Sequence, residues 1–119
     1  MDAIWEKARE VGRLVGQSEE YRALKRANDR LSDDREAVTR LNRLADLQDS
    51  FTESLRRGEE PPEADQEEYE RLASEIQGHP GYQAMASAQA NFERLMARVN
   101  EEIARGIEAA EQSRIILPG

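Results

Sequence analysis

Residues 85–107 read MASAQANFERLMARVNEEIARGI, and in them Met85, Gln89, Phe92, Met96, Val99 and Ile103 alternate at spacings of four and three. That spacing returns side chains to one face of an α-helix. Upstream, Ala37, Leu41, Leu44, Gln48, Phe51 and Leu55 repeat the same alternation. Two such heptad-like seams suit helices that pack antiparallel or between chains. Each seam contains one glutamine, Gln48 or Gln89, which either fixes register or marks an edge facing water.

Working outward, the punctuation between apolar faces predicts about five helices. The first is expected from Ala3 to Val15, with Ile4, Ala8, Val11 and Val15 on one face and Gly16 as its stop. Ser18 is the expected cap of a second helix, to about Leu31, that turns Tyr21, Leu24, Ala27 and Leu31 inward. Asp33 followed by Glu36 has capping-box spacing and opens a third helix that ends near Arg57, with Gly58 after it. Glu59-Glu60-Pro61-Pro62-Glu63 cannot continue a helix, because proline lacks the N–H and clashes with the preceding turn. Asp65 and Glu68 form a second capping-box pair, opening a fourth helix with Tyr69, Leu72, Ala73 and Ile76 inward. Gly78-His79-Pro80 closes it and opens a fifth, with His79 as cap and Pro80 at the first helical position. A fifth helix from Pro80 to Gln112 would span about 50 Å, longer than the roughly 35 Å of a compact domain this size. Either Gly106 breaks it or its end projects, and a projecting apolar seam needs a partner.

Composition agrees. The chain has 119 residues, 35% of them charged, and 16 of its hydrophobic residues are alanine, leaving 29 larger apolar side chains. One all-α domain over residues 1–119 is expected, a helical bundle or hairpin with an acidic Pro-Pro linker at 59–63. Its core is thin enough that a second chain is expected to supply part of the burial. With no cysteine, disulfides, thiolate chemistry and cysteine-held zinc or iron–sulfur clusters are excluded. The longest apolar run is Ile115-Ile116-Leu117, too short to span a membrane. The start, Met-Asp-Ala-Ile-Trp-Glu, lacks the basic-then-apolar order of a secretory signal, so a cytoplasmic location is expected. Ile115 to Leu117 either fold back onto a helical groove or form a loose end.

The net charge of −8 falls entirely on residues 58–119, which hold 13 acids and 5 bases. That balance opposes contact with nucleic acid, whose phosphates require a basic surface. The basic stripe Arg22, Lys25, Arg26 and Arg30 offers an RNA-binding alternative, set against an ordinary solvated face paired with Glu19 and Asp29. The acidic run Glu59, Glu60, Glu63, Asp65, Glu67, Glu68 and Glu70 reads as a solvated surface at a helix start. His79 is the only histidine, and no Glu-x-x-His pair, phosphate-binding glycine loop or nucleophile motif accompanies it. No enzymatic activity, metal or cofactor is expected.

The order of these pieces resembles the YlbF/YmcA family of bacterial regulators, which includes the YheA-type proteins. The resemblance rests on Ser18-Glu19-Glu20-Tyr21-Arg22-Ala23-Leu24-Lys25, on Leu31-Ser32-Asp33-Asp34-Arg35-Glu36-Ala37 and on the spacing from Phe51 to Arg57-Gly58-Glu59. His79-Pro80 leading into Tyr82, Ala88, Phe92 and Leu95-Met96 completes it, and the full-length match looks closer to the YheA-type branch. The resemblance implies an all-helical fold assembled as dimers or larger oligomers. It also implies non-catalytic regulators of competence, sporulation and biofilm formation that act with a further protein on messenger RNA processing by ribonuclease Y. Some members carry iron–sulfur clusters through cysteines, a role that does not transfer to a chain without them. A homo-oligomer, most simply a two-fold dimer, is expected to centre on Phe92, Leu95, Met96, Val99, Ile103 and Ile107, with other regulatory proteins as further partners.

Overall fold

The computed structural model describes residues 2–116, with side chains from Asp2 to Ser113, so the side chains of Ile115 to Leu117, on which the tail reading rests, lie outside the description. It consists of five helices: α1 (Asp2–Gly16), α2 (Glu19–Asp33), α3 (Arg35–Arg56), α4 (Glu63–Gln77) and α5 (Pro80–Ile116). No strand occurs among the described residues.

Each boundary has a local cause. The Ser18 hydroxyl accepts the Tyr21 N–H at 3.1 Å and donates to the Val15 carbonyl at 2.6 Å, closing α1 and opening α2 with one side chain. The α2–α3 joint falls one residue later than the expected Asp33–Glu36 box. Asp33 still has helical backbone as the last residue of α2, so the chain breaks at Asp34 (φ −88°, ψ 100°). The Asp34 carboxylate then caps α3 through the Ala37 N–H at 3.1 Å. At the end of α3, Gly58 adopts φ 73°. There the Glu59 N–H reaches the Ser54 carbonyl at 2.9 Å and the Gly58 N–H reaches Leu55 at 3.1 Å. This is a Schellman turn, which needs a residue free to enter the left-handed region.

The second expected capping box is absent. Pro62 (φ −55°, ψ 139°) delivers the chain directly into α4, without a side-chain cap. Asp65 therefore lies inside the first turn, where its charge favours the helix dipole. Glu68 is engaged elsewhere, by Arg43 of α3. At α5 the reading holds: His79 Nδ1 accepts the Tyr82 N–H at 3.2 Å, and Pro80 follows as the first helical residue.

Two antiparallel hairpins result. α2 packs along α5, bringing Tyr21 against Phe92 with ring centroids 5.8 Å apart. α3 packs along α4, where the Arg43 guanidinium grips Glu68 through two bonds of 2.8 and 2.9 Å and Arg40 meets Glu75 at 3.3 Å. The α3/α4 hairpin is thus inserted between α2 and α5. The two hairpins join at an apolar junction of Leu31, Ala37 and Ile76, flanked by Leu41, Leu44, Tyr82 and Met85. Beyond the junction, Leu47 and Leu72 are buried in the α3/α4 hairpin and Ala88 in α5.

α5 runs straight through Gly106 for 37 residues, about 55 Å. The long helix therefore projects, and the molecule measures 71 × 37 × 24 Å. Its radius of gyration is 21.9 Å, against about 13.5 Å for a compact chain of this length.

Candidate interaction surfaces

Three features outside the core have shape or chemistry enough to act on something else. The first is the arm formed by α1 and the outer half of α5. α1 buries no residue, and Ile4 (60% exposed), Trp5 and Leu14 stand in water beside it. Val11 of α1 and Val99 and Ile103 of α5 line one shallow groove. Of the six residues expected at a subunit contact, Phe92, Leu95, Met96 and Val99 are half-buried, whereas Ile103 and Ile107 (59%) are exposed. The inner part of that seam is covered in part by the chain's own α2, through Tyr21, and its outer end is bare. Leu95 faces an open groove edged by Glu19, Glu20, Arg94 and Arg98. Sequence reasoning passed over Trp5 and Leu14. Their signal was available: a tryptophan and a leucine on a short amphipathic helix with nothing in its own chain to cover it.

The second feature is the Asp34–His79 bridge. Because His79 Nδ1 accepts the Tyr82 N–H, the neutral ring carries its proton on Nε2, which donates to Asp34 Oδ2 at 2.8 Å. One imidazole thereby ties the start of α5 to the start of α3. The Ala37 N–H, and after it the His79 ring, hold the Asp34 carboxyl below its ordinary value. Gly81 makes room for this bridge: a Cβ there would stand 2.8 Å from His79 Cε1. Both ring nitrogens are thus engaged, Nδ1 in capping α5 and Nε2 in reaching the cap of α3. No group of three or more His, Asp and Glu side chains is placed to hold a metal ion among the described residues.

The third feature is the tip of the α3/α4 hairpin. Phe51 and Tyr69 pack with ring centroids 5.5 Å apart and planes tilted by 59°, and Leu55 is 74% exposed beside them. Within the single chain both seam glutamines face water: Gln48 donates to the Tyr69 hydroxyl at 3.1 Å, and Gln89 lies near Glu93. Along the acidic run, only Asp65 and Glu68 are half-buried. Arg43 holds the Glu68 carboxyl below its usual range, and Glu68 in turn raises Arg43. The basic stripe Arg22, Lys25, Arg26 and Arg30 is exposed along α2, with Arg26 paired to Glu19 at 3.1 Å.

The family described as "Control of competence regulator ComK, YlbF/YmcA" matches residues 4–108 of the sequence. The chain belongs to the YlbF/YmcA family. The match runs from α1 well into the projecting part of α5, so arm, bridge and tip all lie within the YlbF/YmcA region. The fold is similar to that of Bacillus subtilis RicA, whose crystal structure was determined in complex with RicF. The TM-score is 0.79 at 15% identity, over 91% of this chain and 96% of RicA. It is also similar to a protein of unknown function (DUF964) from Bacillus stearothermophilus, with a TM-score of 0.66 at 19% identity over 93% and 97% of the two chains. At such identities these structures establish the shared fold alone. No curated protein matches the sequence. YlbF/YmcA is a regulatory family, and no described helix of this member is long and apolar enough to cross a membrane.

Proposed function

We propose that this chain is a non-catalytic adaptor of the cytoplasm that assembles as a homo-oligomer, most simply a two-fold dimer, and binds other regulatory proteins. The observation that carries the proposal is the bare arm. The chain exposes 9432 Å², whereas a compact monomer of its mass exposes about 6500 Å². Much of the large apolar exposure falls on Ile4, Trp5, Val11, Leu14, Ile103 and Ile107. Covering a side chain that is half in water contributes roughly 1 kcal/mol. Doubled by a two-fold axis, these six reach the scale of the association cost, about 4–15 kcal/mol. RicA, which shares the fold, was crystallised with another protein, RicF, and this supports a partner-binding role. The pathway that fits is the family's: competence, sporulation and biofilm regulation through ribonuclease Y-dependent processing of messenger RNA.

Sedimentation at micromolar concentration tests the assembly. The expected mass is at least twice 13.5 kDa. Ile103→Asp with Ile107→Asp should reduce it to a single chain that keeps its helicity, because both side chains lie outside the chain's own core. A native protein that sediments as a fully helical monomer would overturn the proposal.

A further inference from the structure

The tip of the α3/α4 hairpin carries a second, chemically different surface. It is an open cleft of about 520 Å³ whose walls are Phe51, Leu55, Pro61 and Tyr69, with Glu60 and Glu70 at its rim. It is held in shape. The Schellman turn at Gly58 fixes the end of α3, and Gln66 Nε2 donates to the Pro61 carbonyl at 2.8 Å, pinning the linker to α4. The rim is strongly negative. Glu60 and Glu70 line it, Glu59, Glu63 and Glu67 lie close by in the chain, and all five are exposed with no ion pair among the described residues. The two arginines at the same tip, Arg56 and Arg57, are turned onto Glu53 at 3.8 and 3.4 Å.

We propose that this cleft docks a basic segment of a partner protein, one that inserts a large apolar side chain between Leu55 and Tyr69 while its Lys or Arg residues meet the glutamate rim. Apolar walls alone would accept many occupants, and the charge selects among them. A second copy of this chain is a poor occupant, because a two-fold contact would set one glutamate rim against the other. Nucleic acid is repelled for the same reason. The inference rests on the adaptor reading and adds the chemistry of the partner. It concerns a surface separate from the arm.

A short fluorescent peptide of lysine and leucine in amphipathic helical order is the probe, read by anisotropy against the full-length protein. A control peptide replaces every leucine with serine at unchanged charge. The Lys/Leu peptide should bind, and the Lys/Ser control should bind about ten-fold more weakly or not at all. Leu55→Ser, and separately Glu60→Lys with Glu70→Lys, should each weaken the Lys/Leu peptide about ten-fold. Asp29→Lys with Glu36→Lys makes the same charge change elsewhere on the surface and should leave binding nearly unaltered. Leu55 and both glutamates are exposed, so the helical melt should not move. Equal binding of the two peptides would reduce the effect to general attraction and overturn the site, as would equal losses from both charge-reversed pairs. Sedimentation of Leu55→Ser in the same samples closes the test. An unchanged mass supports a free tip, and dissociation would assign the cleft to a second copy. Loss of the arm assembly in the native protein, by contrast, bears on the adaptor reading and not on the cleft.

Discussion

Leu47→Ala is expected to destabilise the protein by roughly 2–4 kcal/mol, lowering its melting temperature by about 10 °C. Leu47 is 2% exposed and is the largest fully buried side chain among the described residues. It lies in the middle of α3, between the junction and the tip, where Leu72 is the hairpin's other buried leucine. Truncation removes its transfer free energy and leaves a void that two paired helices close only in part. The ion pairs along the same face do not compensate, because Arg43–Glu68 and Arg40–Glu75 are substantially exposed. Thermal and denaturant melts of the variant give the reading. A loss well below 1 kcal/mol would show that the hairpin is held by something other than this leucine.

Met96→Glu is expected to dissociate the assembly and largely unfold the chain. Met96 is half-buried, one turn beyond the Phe92 ring that packs on Tyr21. It stands where the part of α5 covered by α2 gives way to the bare arm. A carboxylate there loses water on the intramolecular side and, in the proposed dimer, on the second side in both subunits at once. Loss of the methionine contact contributes on the order of 2 kcal/mol per subunit, and burial of an unpaired charge adds to it. The outcome should contrast with the Ile103 and Ile107 replacements, which act on the bare end and leave the hairpin intact. Circular dichroism and sedimentation together decide it. A Met96→Glu protein that melts and sediments like the native one would place this residue outside any contact that matters.

Local chemistry made most of the helix map legible. Ser18, Gly58, Pro61-Pro62 and His79-Pro80 each act on their own few residues of backbone, so their effect can be read without knowing what packs against them. The capping boxes misled where tertiary partners intervened: Asp34 is held by His79, and Glu68 is drawn to Arg43 across the hairpin. Both partners are distant in sequence, and no spacing rule announces them. The seam on α3 drifted for a different reason. A strict heptad selects Gln48 and Leu55, but α4 packs on the side of α3 that carries Arg40, Arg43 and Leu47, and so buries Leu47 instead. On α5 too the buried position is Ala88, one residue before Gln89, and how the rest of the seam would be shared between α2 and a second chain depends on packing that sequence alone does not contain. The acidic run was legible as solvated. The cleft beneath it was not, because Phe51 and Tyr69 come together only when the hairpin closes.

The insertion of one hairpin inside another sets an order in time. α3 and α4 are neighbours in the chain, and Arg43 meets Glu68 after a separation of 25 residues. Tyr21 and Phe92, by contrast, must close a loop that contains all of α3 and α4. Bringing distant segments together is slow when the intervening chain is loose. Once the inner hairpin has formed, the ends of α2 and α5 are delivered side by side, and the Asp34–His79 bridge spans a gap already shut. The inner hairpin should therefore acquire protected amides first in pulse-labelled hydrogen exchange, with α2 and α5 following as a zipper that runs outward from Leu31 toward the arm. Protection appearing first in α2 and α5 would contradict this order. In that sequence of events the apolar arm is the last part of the chain to be organised, and it emerges at the end of the zipper, where a second chain can still meet it.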